Sequence, residues 1–217
     1  MLSLHRFVFN PFEENTYVLV ETATQEAAVV DPGMSDARER AAFDKFVADN
    51  KLSLRQAIIT HAHVDHCFGL GYVTERYGAS TLMSALDRPL LHDLGEQARR
   101  FGLQGLFAGG SQLKIDTEVG DGDIIAIGES TLRVIASPGH SPGGIALYCP
   151  EQKFVITGDS LFKNSIGRTD FPGGDLPTLV SSVRDRLLSL PADTVVLSGH
   201  GPETSVGAEQ RNNPFVR

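Results

Sequence analysis

The string IITHAHVDHCFG places His61, His63, Asp65 and His66 within one short stretch, directly after the apolar run 57–59. Three of the seven histidines of the chain are spent there. Protonated together, the imidazoles would repel one another, and a single carboxylate could not neutralise them all. As neutral rings beside a carboxylate they form a donor set for zinc or another borderline divalent ion. His61 and His63 lie two apart where an extended run ends, so both rings point to the same side. Asp65 and His66 follow once the chain turns. A polar, His-rich surface loop is the alternative reading of this cluster taken alone.

Three further strings repeat that context. His140 in SPGHSPGG, Asp159 in ITGDS and His200 in LSGHG each follow an apolar, strand-like run and sit among glycines that let backbone approach closely. Five of the seven histidines and two aspartates therefore fall at strand-to-loop junctions, which a random surface distribution rarely produces. His5 and His92 lack the context and read as structural or solvated. Cys67, beside His66, reads as a small packed thiol, because the histidines and aspartates already supply enough donors.

The elements that must position these residues follow from periodicity. Apolar stretches at 4–9, 16–20, 27–30 and 55–59 predict strands, the last ending at the histidine cluster. A helix capped by Ser35, with Ala41, Ala42, Phe46 and Val47 on one face, separates the third strand from the fourth. A second helix is expected over 64–77, a short strand in STLMS, and a Gly-interrupted helical segment over 86–106. The later half repeats the rhythm: a hairpin in DGDIIAIGESTLRVIASPGH, strands in GGIALYC and KFVITGDS, an amphipathic helix in LPTLVSSVRDRLLSL, and a closing strand in DTVVLSGHG. Strands in both halves with helices between them predict two sheets face to face, covered by helices on both sides.

Composition sets the wider bounds. The chain has 217 residues, 41% hydrophobic and 21% charged, enough for one large domain with a sizeable core. We expect a single domain, 1–217. No apolar run approaches the roughly 18 residues of a membrane helix, and the start lacks a signal-peptide pattern. The formal charge of −8 and the absence of a basic stripe argue against a nucleic-acid partner. Two cysteines, Cys67 and Cys149, form no CxxC pair and no disulfide framework. That accords with a reducing compartment, so a cytoplasmic location with no membrane association is expected. Nothing in the sequence points to a protein partner.

In order along the chain, THAHVDH, PGHSPG, GDSLF and GHG resemble the metallo-β-lactamase fold hydrolases. NPFEENTYVL, GRTDFPGGD and GHGPETSVGAEQRNNPF are similar to the short glyoxalase II-like members, which resemble hydroxyacylglutathione hydrolase. The resemblance implies an α+β fold, an αββα sandwich of two mixed sheets with helices outside. It implies two divalent metal ions, zinc foremost with iron or manganese as alternatives. One would be held by His61, His63 and His140 and the other by Asp65, His66 and His200, with Asp159 shared and Asp65 and Asp159 as the catalytic carboxylates. The chain stops at Arg217, where full-length glyoxalase II proteins continue into a helical region that helps bind glutathione. No such region is expected here.

Two divalent ions sharing one water lower its pKa from near 16 toward about 7. Hydroxide is then available at neutral pH without a serine or cysteine nucleophile, and a small-molecule acyl-thiol such as S-lactoylglutathione is the expected substrate. Arg168, nine residues after Asp159 on a Gly-rich loop, could reach a substrate carboxylate, with a salt bridge to Asp170 as the alternative. Lys163 is a weaker candidate for the same task. The rival functions are an iron-dependent persulfide dioxygenase using the positions of His61, His140 and Asp159, and a non-catalytic metal-binding module. A β-lactamase is less favoured, because Asp159 stands where many of those enzymes use cysteine. A nuclease is disfavoured by the acidic balance.

Overall fold

The computed structural model describes residues 1–106 and 113–216. Strands β1 (Leu2–Phe9), β2 (Glu14–Glu21) and β3 (Glu26–Val30) form an antiparallel meander. Helix α1 (Ala37–Asp49) connects it to β4 (Ser53–Ile59), which runs parallel to β3. Short helices α2 (Val64–Cys67) and α3 (Leu70–Tyr77) precede β5 (Ser80–Met83). A 3-10 turn at Ala85–Asp87, α4 (Arg88–His92) and α5 (Leu94–Arg100) come before β6 (Thr117–Glu118), the last strand of a six-stranded mixed sheet.

The second sheet holds β7 (Ile124–Ile127), β8 (Ser130–Ala136), β9 (Ile145–Cys149) and β10 (Phe154–Gly158). After a two-stranded hairpin, β11 (Leu161–Phe162) and β12 (Ser165–Ile166), helix α6 (Leu176–Ser182) runs on as a π turn at Val183–Leu187. Strands β13 (Val195–Ser198) and β14 (Thr204–Ser205) complete the sheet, and α7 (Val206–Asn212) follows. The strand order is β14-β13-β10-β9-β8-β7, with β10 and β13 parallel.

Alternation along the strands builds the layers. β2 is buried along its whole length. Tyr17 and Leu19 pack between the sheets, and Val18 and Val20 pack under the helices on the other side. Leu19, Val30 and Ile58 meet Leu132, Leu147 and Ile156 in the inter-sheet core. Phe43 of α1, Leu70 of α3 and Leu94 of α5 cover the outside of the first sheet, while Leu179 of α6 and Val206 of α7 cover the second. The result is the α+β, αββα sandwich expected from the sequence.

Local details differ from expectation. Helix α1 is capped by Asp36, which accepts from the Glu39 amide at 2.8 Å. Ser35 instead gives its own amide and hydroxyl to the Glu39 carboxylate. The buried face of α1 is Phe43 and Val47, while Ala41 and Ala42 are exposed, because the larger side chains one turn apart claim the core. The helix expected over 64–77 breaks into α2 and α3 at Gly69. Its amide donates to the Pro32 carbonyl at 2.7 Å, and a Cβ there would meet Met34 Sδ at 1.9 Å. The short β6, β11, β12 and β14 and helix α7 carry too little periodicity to be read beforehand.

This topology gathers the chemistry at one edge. The parallel strands β3 and β4 end just before Asp31 and His61, and the parallel strands β10 and β13 end just before Asp159 and His200. β8 ends at the loop that carries His140. Carboxyl ends of parallel strands are where α/β folds build their sites, and both facing sheets contribute here.

Candidate metal centre

The seven donors converge in two groups. His140 Nε2 lies 2.9 Å from His63 Nδ1 and 3.2 Å from His61 Nε2. Asp65 Oδ2 lies 3.2 Å from His200 Nε2 and 3.7 Å from His66 Nε2. Asp159 stands between the groups: Oδ1 is 3.4 Å from His66 Nε2, and Oδ2 is 3.5 Å from His200 Nε2 and 3.7 Å from His140 Nε2. Each of the triplets His61/His63/His140 and Asp65/His66/His200 could hold one ion, its ligand atoms lying within 4.8 Å of one another.

Hydrogen bonds behind the rings fix which nitrogen faces inward. His140 Nδ1–H donates to the Arg168 carbonyl at 2.7 Å, and His200 Nδ1–H to the Phe12 carbonyl at 3.0 Å. His66 Nδ1–H donates to Asp31 Oδ2 at 3.0 Å. Thr60 donates its hydroxyl to the same Asp31 oxygen at 2.7 Å, so its lone pair receives His61 Nδ1–H at 3.0 Å. Those bonds turn Nε2 of four rings toward the centre, the outer-sphere arrangement of a metal-binding histidine.

Lone pairs of His61 and His140 facing each other at 3.2 Å repel unless a cation lies among them. His66 Nε2 and Asp159 Oδ1 are buried without a hydrogen-bond partner, a costly condition that coordination removes. The residues therefore fit a metal centre. Asp31, His61 and His66 also cluster, but the Asp31 oxygens are already taken by Thr60 and His66, which makes Asp31 an orienting group.

Burial pushes the His61 imidazole well below its usual range, helped by its cationic-when-protonated neighbours, and brings His63 down to about 3. Burial also opposes charge on His66 and His200, but there it is outweighed. Asp159, Asp65 and Asp31 hold His66 well above its usual range, and the hydrogen bond to Asp65 with the Asp159 charge raises His200. A raised pKa means that a proton competes with a metal ion at higher pH. On dialysis from neutral pH toward about pH 5, roughly one to two units below the ordinary imidazole value, an ion held at Asp65/His66/His200 would be expected to leave before one held at His61/His63/His140. Metal content per chain at each pH, with variants at His200 and His63 to assign the sites, measures this. Loss in the opposite order contradicts it.

Several supporting residues escaped the sequence reading. Buried Asp87 accepts from the Ala62 amide at 3.0 Å, Ser141 Oγ at 2.7 Å and the Gly143 amide at 2.5 Å, tying the loop of His61 and His63 to that of His140. Asn15 Nδ2 donates to the Ser198 and Gly201 carbonyls at 2.9 Å each, which grips the His200 segment. Asn10 Nδ2 reaches the Gly33 and Asp65 carbonyls at 3.0 and 2.9 Å. The NPFEENTYVL string contained the signal for both asparagines. At Gly199 a Cβ would lie 2.2 Å from Asp159 Oδ1, so glycine there leaves room for the shared carboxylate.

A cleft of about 410 Å³ opens over the donors, lined in part by Phe12, Arg100, Phe101, Arg168 and Phe171. Arg168 lines it while forming the salt bridge weighed as the alternative, with Nε and one terminal nitrogen each 2.7 Å from an Asp170 oxygen. Lys163 sits on the exposed turn between β11 and β12, outside the cleft lining, because that hairpin directs it to solvent. Cys67 and Cys149 are buried and unpaired. Among the described residues no helix is long and apolar enough to cross a membrane.

Residues 10–200 match the Lactamase_B domain of the Metallo-beta-lactamase superfamily. The chain belongs to that superfamily of metal-dependent hydrolases and related enzymes. Hydroxyacylglutathione hydrolase GloC of Haemophilus influenzae is 35% identical over 206 residues, 94% of this chain and 93% of the relative. The crystal structure of BLEG-1 B3 metallo-beta-lactamase is similar at TM-score 0.86 and 30% identity over 99% of both chains. That of TTHA1623 in a di-iron-bound form is similar at TM-score 0.85 and 34% identity, covering 97% of this chain and 99% of that one. The mitochondrial persulfide dioxygenase ETHE1 of Mus musculus is 31% identical over 203 residues, 92% of this chain and 70% of that protein. The His/Asp groups and the di-iron neighbour support a dinuclear metal site.

Proposed function

We propose that residues 1–217 form a cytoplasmic thioester hydrolase of glyoxalase II type. One divalent ion is held by His61, His63 and His140, the other by Asp65, His66 and His200, and Asp159 is shared. Zinc is the first choice of metal, with iron or manganese as alternatives. The observation that carries the reading is the position of Asp159, with one oxygen facing His66 and the other facing both His200 and His140.

When bound, the two ions supply an activated water and polarise the thioester carbonyl. The chain's own residues do the rest. Asp65 and Asp159 are held below the usual carboxylate range: burial opposes their charge, and His66 outweighs it. Both stay ionised at neutral pH and are the acceptors that orient the attacking water. The backbone hydrogen bonds behind His140 and His200 keep those rings from turning as charge develops. The carbon–sulfur bond breaks and a carbon–oxygen bond forms, so one thioester and one water become one carboxylate, one thiol and one proton, with no oxidant consumed. Arg168 lines the cleft wall with its guanidinium held by Asp170, a fixed positive charge beside the bound substrate.

The persulfide dioxygenase relative supplies the second reading. It would use His61, His140 and Asp159 for one iron and leave Asp65, His66 and His200 without metal work, although His66 Nε2 is buried and unpartnered. Thioester cleavage is therefore expected at the same rate in air and under strict anaerobiosis, with zinc as the only metal and one thiol released per ester consumed. A chromogenic β-lactam serves as the control. Oxygen uptake with glutathione persulfide, and no thioester cleavage in the two-metal form, would replace this reading with the dioxygenase.

A further inference from the structure

The cleft wall is aromatic from the donors outward. Phe171 stands edge-on to the His63 ring at 5.5 Å between centroids, Phe101 edge-on to Phe171 at 5.9 Å, and Phe12 edge-on to Phe101 at 5.3 Å. Phe101 remains 43% exposed at the end of α5, a large apolar surface held toward solvent beside the reacting centre. The cleft lies within the range of about 300–1,000 Å³ that encloses drug-sized molecules. A lactoyl group would cover little of this wall.

Two guanidinium groups stand beside the wall, each facing an aspartate. The guanidinium carbon of Arg168 lies over Phe171, 3.9 Å from the ring centroid, and its nitrogens are committed to Asp170 by two hydrogen bonds. Arg100, next to Phe101, meets Asp93 at 3.7 Å with its side chain 54% exposed. Its contact is the longer one, so its planar fork is the more easily turned toward a carboxylate.

Resting on the thioesterase reading above, we propose that the substrate is a thioester with a bulky apolar acyl group, aromatic best of all, on a thiol that bears a carboxylate. Phe171 and Phe101 flank the acyl group next to the metal centre, where a ring completes an edge-to-face set. Arg100 receives the carboxylate farther out.

The test uses the metal-loaded protein and two glutathione thioesters that differ only in a phenyl or a methyl on the hydroxyacyl carbon. KM for the phenyl ester is expected to be about tenfold lower, and Phe101→Ala to remove about fivefold of that preference, with metal content unchanged. A second pair compares 3-mercaptopropionate with a neutral thiol of equal length. Arg100→Gln should raise KM about five- to tenfold for the carboxylate-bearing thioester alone, with kcat little changed. Equal KM values for the two acyl groups, or equal losses on both thiols, overturn the proposal.

An uncleavable thioether carrying the same phenyl and carboxylate groups, titrated calorimetrically, separates the two layers. If no thioester is cleaved but the thioether binds and both variants weaken it, the subsite stands and the hydrolase reading fails. If the thioether binds wild type and variants alike, or not at all, the subsite fails whatever the chemistry.

Discussion

Asp159→Ala is expected to cost more than about 100-fold in metal affinity and to reduce thioester turnover to background. Removing a group behind a ligand typically costs about 10- to 100-fold, and Asp159 faces both donor groups directly. Its loss takes away the anion that offsets two metal charges and the oxygens 3.4 to 3.7 Å from His66, His200 and His140. Asp159→Asn keeps the volume and one carbonyl oxygen, so it should retain more metal than the alanine variant while still losing most turnover. Metal analysis after dialysis, paired with kcat/KM, reads both quantities. Two ions per chain and unchanged turnover in the alanine variant would remove Asp159 from the centre altogether.

Asp87→Ala is expected to lower stability by about 3 kcal/mol or more, although residue 87 touches neither donor group. Three donors that now end on its carboxylate would be left unsatisfied in the interior, each costing about 1–3 kcal/mol. Part of that is returned, because burial already pushes the Asp87 carboxyl above its ordinary value. For a chain of this size the net loss corresponds to roughly 6–12 °C in Tm. Metal affinity should fall as well, by about 10- to 100-fold, since the same carboxylate sets the spacing between the two histidine loops. Asp87→Asn keeps one acceptor and should fall between wild type and alanine. Thermal unfolding of the metal-free protein isolates the packing effect. A Tm within 1 °C of wild type, with metal affinity unchanged, would show that the loops hold their spacing without it.

The residues that converge at the candidate centre were legible in the sequence because histidines are few enough for their placement at the ends of strands to stand out. The orienting groups were not. Aspartate and threonine are common, and Asp31 acts only because β3 and β4 end side by side. Asp87 acts only because a 3-10 turn is folded against loops 25 and 56 residues away in sequence. The sandwich followed from alternating apolar strands, whereas the break between α2 and α3 depends on a contact between Gly69 and Met34 that no local pattern announces. For Arg168 both alternatives were visible, and only the three-dimensional path of its loop brings Asp170 and Phe171 to the same guanidinium.

The donors come from four separate stretches of chain: the 61–66 loop, His140, Asp159 and His200. An ion gripped by them is a removable cross-link between the first sheet and the second. Mass action makes its strength adjustable, about 2.7 kcal/mol for each ion at a free concentration one hundred times its dissociation constant. When supply falls, the clasp opens and the chain becomes easier to unfold and degrade. Loss of bound metal would therefore weaken the fold together with the chemistry of the site.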